Sequence, residues 1–168
     1  MLASVTIRPA KPDDRSHLRQ AIVELQDYER ALHATRLPGE LVADAYLDWL
    51  QRQADAEGGV MLVAEREGVF AGFVVGWIEL SEIITETPDS NRFGYVSDIC
   101  VMAAFRGQRI AAQLLCAIEL HLRRAGVARL RINALAANTS ARVCYERAGY
   151  APYEVHLEKF ADIETEQV

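Results

Sequence analysis

No apolar run in the chain approaches the ~20 residues a helix needs to span a bilayer, so membrane insertion is not expected. The opening MLASVTIRPAKPDDR lacks the apolar stretch of a secretory leader, and a cytoplasmic location is the expectation. Cysteine is scarce: Cys100, Cys116 and Cys144 are far apart and odd in number, which makes neither a C-x-x-C metal pair nor a disulfide framework. Thiols packed in a reducing compartment are the plain reading. His17, His33, His121 and His156 share no metal-ligand spacing, and no Cys–His pairing supports a nucleophile. Positive charge is in deficit, with 18 Lys+Arg against 24 Asp+Glu, a formal net charge of -6 that argues against nucleic acid as the main ligand. Neither a Walker loop nor a G-x-G-x-x-G fingerprint is present.

What remains is ample for a core. The 168 residues are 51% hydrophobic and 25% charged, the profile of one globular domain, residues 1–168. SVTIR reads as a strand, followed by a helix that Asp13 can cap, with Leu18, Ile22 and Leu25 on one face. Pro38 and Gly39 break the chain before a second helix carrying Val42, Tyr46, Trp49 and Leu50. The stretch GGVMLVAEREGVFAGFVVGWIEL forms two strands around Glu67–Gly68, apolar at nearly every position and hence covered on both faces. A polar loop from Ser81 to Arg92 leads into a strand over Phe93 to Met102. A helix follows with Ile110, Leu114, Ile118 and Leu122 in register, stopping at Gly126. ARLRINAL is a strand, Asn138 to Ala148 a short helix closed by Gly149, and YEVHLEKF alternates as a last strand. The order β-α-α-β-β-β-α-β-α-β describes one α/β domain with a mixed sheet.

Chemistry concentrates where VSDICVMAAFRGQRIAAQLL passes from strand to helix. A helix that starts there leaves its first amides unpaired at the positive end of its dipole, a place suited to an anion. Gly107 permits close approach, Arg106 and Arg109 add charge, and Ala111 and Ala112 keep the first turn slim. Alone, the junction also fits an ordinary connection with solvated arginines. A second segment, NTSARVCYERAGY, puts Ala141 and Tyr145 on one helical face behind Asn138.

RGQRIA resembles the R/Q-x-x-G-x-G/A phosphate-binding signature of the GNAT superfamily of N-acetyltransferases. N-x-x-A-x-x-x-Y-E-R-x-G-Y is similar to the motif that follows it in that family. The resemblance is clear over Val96 to Tyr150. It implies a GNAT-like fold with a mixed, mostly antiparallel central sheet flanked by helices. It also implies acetyl-CoA as donor, CoA as product, and a small-molecule or peptide primary amine as acceptor, in a ternary complex. By the same resemblance, the amides from Gln108 through Arg109, Ile110 and Ala111 to Ala112, beside Arg106 and Gly107, hold the pyrophosphate. The backbone of Ile99, Cys100 and Val101 pairs with the pantetheine arm, Asn138 bonds it, and Tyr145 protonates the leaving thiolate. Arg109 stands where the family has glycine, and Ala103 where a proline is frequent.

An alkylammonium acceptor must lose a proton before it attacks. Asp98, a carboxylate interrupting an apolar strand, is one base; Glu79, Glu82, Glu86 or a water relay are the others, and Glu29 can line an acceptor pocket. Asp98 has an equal reading as a structural carboxylate. Acids at Glu29, Glu82 and Glu86 suit a cationic amine. Two other functions stay open: an acyl-CoA-binding or regulatory module without turnover, for which Arg109 speaks, and transfer of a different acyl group or to a hydroxyl. Family members often pair, so a homodimer is compatible.

Overall fold

The computed structural model describes residues 4–160. Five strands, β1 (Val5–Pro9), β2 (Val60–Arg66), β3 (Val69–Leu80), β4 (Arg92–Val101) and β5 (Leu130–Ile132), lie side by side in chain order. Neighbours are antiparallel up to β4, and β4 with β5 is parallel. The helices are α1 (Arg15–Leu32), α2 (Gly39–Ala56), α3 (Ile110–Arg124) and α4 (Thr139–Arg147).

The unbroken apolar runs of β2 and β3 serve two cores. Met61, Val63, Phe73 and Val75 pack under α1 and α2, while Leu62, Ala64, Ala71 and Val74 pack under α3. The stripe Ile110, Leu114, Ile118 and Leu122 is fully buried there. Each such side chain is worth roughly 1.5–3 kcal/mol in burial. The hairpin turns at Glu67 and Gly68, both at positive φ (52° and 77°). That two-residue geometry matches the twist of the flanking strands. At the start of α1, Asp14 rather than Asp13 anchors the chain: it accepts from Lys11 N at 2.7 Å and is paired with Arg8, which also bridges to Glu65.

Two irregularities of β4 position the site. Val75 pairs with Asp98 but Gly76 pairs with Val96, so Ser97 is an extra residue. Upstream of the bulge, Val96 faces α3; downstream, Cys100 of the same parity faces α1 and α2. The insertion thus reverses which side each later residue points to. The second irregularity is the short reach of β5, which pairs only with Gly94, Tyr95 and Val96. From Ser97 to Val101 that edge of β4 has no strand beside it among the described residues.

The expected order holds through α4 and fails at its tenth element. YEVHLEKF is not a strand: 151–160 has no regular structure and is exposed throughout. No backbone hydrogen bond beyond that of Tyr150 N joins it to its neighbours among the described residues. Alternation makes a strand only where a neighbouring edge can pair with it, and β5 is three residues long. The contacts of Tyr153 are through its side chain: Oη donates to Glu86 at 3.2 Å, and the ring lies 4.6 Å from the Arg131 guanidinium carbon.

Candidate active site

Between β4 and α3 the chain runs through Ala103–Phe105, a 3-10 turn, and then kinks. Gly107 has φ +75° and Arg109, at the N-cap of α3, has φ +63°. Arg109 is therefore left-handed and not helical, in a conformation that disfavours a Cβ by roughly 1–2 kcal/mol. The kink turns a run of amides outward. Arg106 N still reaches Ala103 O at 3.4 Å, and Gln113 N opens the helical ladder on Arg109 O at 3.3 Å. Between them, the amides from Gly107 through Gln108, Arg109, Ile110 and Ala111 to Ala112 find no acceptor among the described residues. A Cβ on Gly107 would meet nothing within 4 Å, so the mouth is open. Ile110 is buried in the α3 core and offers only its N–H. Arg106 donates to Val101 O at 3.1 Å and lies over Tyr28, and Gln108 folds back onto Ala104 O. A diphosphate fits this set of donors and charges.

The free edge of β4 leads away from this cradle. Ile99 and Val101 send their side chains into the α3 core and Cys100 into the other, so only backbone is open along the edge. Burial pushes the Cys100 thiol up to about 12, which keeps it a protonated packing group. Across the gap, Asn138 caps α4 through Oδ1, which accepts from Ala141 N at 3.1 Å, leaving its Nδ2 to donate. Tyr145 packs against the α3 core, braced edge-on by Tyr150 at 6.3 Å. Burial first, then Cys144 and the acids Asp98 and Glu29, hold its phenol protonated well above the ordinary value.

On the opposite face of the sheet the bulge delivers Ser97 and Asp98 together into a cleft of about 520 Å³. The cleft lies between α1, α2 and the β4–β5 opening, with Glu29, Arg36, Tyr46, Tyr95 and Asn133 in its wall. Asp98 Oδ2 accepts from Tyr46 Oη at 2.9 Å and from Ser97 Oγ at 2.6 Å. Burial raises the Asp98 carboxyl above the usual carboxylate range, against the lowering pull of those two hydroxyls and of Arg36. Tyr46 in turn is raised, first by burial and then by the Asp98 charge. Among the described residues, Tyr150 Oη is the one side-chain polar atom that is both enclosed and unpaired. Asp98 Oδ1 and the Tyr145 hydroxyl, which have no hydrogen-bond partner among the described residues, therefore both keep a path to solvent.

The structure brings Asp98 and Glu29 to one cleft and leaves Glu79 and Glu82 out of it. Glu79 accepts from Trp77 Nε1 at 2.8 Å, four residues along β3 from the Val75–Asp98 rung. Glu82 and Glu86 belong to the 81–91 connection, no residue of which lines the cleft, whereas both first helices do. Tyr46, Ser97, Tyr95 and Arg36 escaped the sequence reading as site residues. Tyr46 carried only the signature of an α2 core position, and nothing in SDICV marks the bulge. A second groove of about 590 Å³, at the opposite end of the α1–α2 pair, holds Lys11, Arg15 and Asp48 and none of the residues above.

Comparison with known proteins agrees with this geometry. A model described as the Acetyltransferase (GNAT) family matches residues 22–150. No curated protein sequence matches the chain. Among solved structures, an aminoglycoside N-acetyltransferase, AAC(6')-Iy, in complex with CoA superposes with a TM-score of 0.71 at 18% identity, covering 96% of this chain and 97% of that one. A transcriptional regulator from Bacillus halodurans C-125 gives 0.71 at 16% identity, over 94% of this chain and 100% of that one. Glucosamine-6-phosphate N-acetyltransferase from Arabidopsis thaliana gives 0.62 at 19% identity, over 95% and 99%. At these identities the likeness is one of fold.

Proposed function

Because the chain belongs to the GNAT acetyltransferase family, we propose that it transfers an acetyl group from acetyl-CoA directly to a primary amine, without an acyl-enzyme. One observation carries the reading: six consecutive amides without an acceptor among the described residues, Gly107 to Ala112, open beside a strand edge that reaches Asp98. CoA bound in a solved structure of the same fold supports it.

The amides and Arg106 hold the diphosphate, and the β4 edge from Val101 back to Ile99 takes the extended arm as an added strand would be taken. From Val101 to Asp98 the edge is roughly 13 Å long for four residues, enough to carry a thioester from α3 to the bulge. Bound acetyl-CoA supplies the activated carbonyl. An amide at Ile99 or Cys100 steadies the negative charge that develops on its oxygen. Asp98, its basicity increased by burial, takes one proton from the acceptor ammonium into the cleft. The freed amine forms the C–N bond as the C–S bond breaks. Tyr145 gives its phenolic proton to the departing sulfur and is reprotonated by the second proton the nitrogen releases. The products are an N-acetylated amine, CoA thiol and one proton.

A binding module without turnover needs only the amide cradle. The open Tyr145 hydroxyl and the Asp98 oxygen facing the cleft favour the enzyme. Calorimetric titration with CoA, followed by mass analysis of amines incubated with acetyl-CoA, tests both halves: uptake with no acetylated product leaves the module, and no uptake removes the reading.

A further inference from the structure

The acceptor cleft is poor in negative charge. Of the residues lining it, Glu29 and Asp98 are the acids and Arg36 the base. Glu29 is already committed, since its Oε2 accepts from Arg36 Nε at 2.8 Å. A polyamine or an aminoglycoside, with several ammonium groups, would find one free carboxylate. The acids at Glu79, Glu82 and Glu86, which would have served such a polycation, lie outside the cleft.

Arg36 is also only half used. Its Nε is bonded, and its two terminal nitrogens have no hydrogen-bond partner among the described residues. Glu29 therefore orients the guanidinium and leaves its outer edge, the geometry that grips a carboxylate through two parallel bonds. The Arg36 charge is close enough to act on Asp98. Leu25, Leu37, Val42 and Leu135 add aliphatic wall to the same cleft.

Resting on the acetyl-transfer reading above, we propose that the acceptor is a compact primary amine that itself carries an anionic group, as a free amino acid does. Its ammonium meets Asp98 Oδ1, its anion meets the outer edge of Arg36, and its apolar part lies along the aliphatic wall.

The test uses the full chain, acetyl-CoA, and amines that differ only in the anion: L-leucine, L-leucinamide and isoamylamine, with spermidine and kanamycin as polycations. CoA release and product mass are read for each. L-leucine is expected to exceed leucinamide and isoamylamine in kcat/KM by about tenfold or more, the worth of a hydrogen-bonded charge. Arg36→Met should bring the leucine-to-isoamylamine ratio to about one, and Arg36→Lys should leave it in between. Both variants change a half-buried side chain, and a melting curve confirms their fold. If isoamylamine equals leucine, or if spermidine or kanamycin is preferred, the Arg36 assignment falls while acetyl transfer stands. If calorimetry finds no CoA uptake, the acetyl-transfer reading itself falls. If CoA binds and none of the five amines is acetylated, chemical-shift perturbation of the CoA-loaded protein by millimolar L-leucine decides, and no perturbation overturns the proposal.

Discussion

The two halves of the site are made of different material. The diphosphate cradle is backbone: six amides presented by a kink, with side chains that are exposed or turned away. The acceptor cleft is side chain: a carboxylate held by two hydroxyls and an arginine held by a glutamate. A backbone site tolerates substitution wherever φ and ψ survive, whereas a side-chain site fails with the loss of one functional group. Arg109 illustrates the first case, since it adopts the left-handed turn a glycine would take and leaves its amide outward.

The largest expected effect is on the chemistry between the halves. Tyr145→Phe should lower kcat by about 10²–10⁴-fold with CoA affinity unchanged in calorimetry. A wild-type rate would remove Tyr145 as the acid.

Asp98→Asn should cost about 10²-fold in kcat/KM and abolish the acidic limb of its pH profile. In the wild type that limb lies above the ordinary carboxylate range, because burial raises the carboxyl, and activity is lost as pH falls through it. Tyr46 and Ser97 from their hydroxyls, Arg36, Glu29, Tyr95 and Tyr145 are the polar and charged groups that bear on it. Stability runs the other way. A raised carboxyl binds its proton more tightly when folded, so stability falls as pH rises from the ordinary value through the raised one. Melting curves across that range should slope less in Asp98→Asn than in the wild type.

On the cradle, Gly107→Val should weaken CoA binding by about tenfold in calorimetry. Its Cβ meets no neighbour, so the cost comes from a β-branched residue at φ +75° turning the amides away. Equal affinity would place the anion site elsewhere. The smallest effect belongs to Arg109→Gly, which should relieve about 1 kcal/mol of backbone strain and raise the melting temperature by a few degrees. A lower melting temperature would show that the arginine side chain contributes more than its backbone costs.

The same division governs what the sequence made legible. RGQRIA announces its amides because a helix start after a strand has the same consequence in any chain. Ile110, Leu114, Ile118 and Leu122 announce their core by spacing, and Glu67–Gly68 its turn. Tyr46 and Asp98 are 52 residues apart in the chain and meet only after α2 has packed on the sheet. Arg36 reads as part of a breaker segment until Glu29 orients it. YEVHLEKF failed for a related reason, since alternation says which residues share a side but not whether an edge exists to receive them.

The extra residue at Ser97 gives β4 one position at which a residue can be removed without turning the later side chains over. Without Ser97, Val96 would stay opposite Gly76 and Asp98 opposite Val75 in unbroken alternation. Asp98 would still face α1 and α2, and Ile99 and Val101 the core beneath α3, while the hydroxyl that donates to Asp98 would be lost. Among deletion variants, loss of Ser97 should therefore keep the facing of β4, whereas loss of Ile99 or Cys100 should turn the residues that follow to the other side.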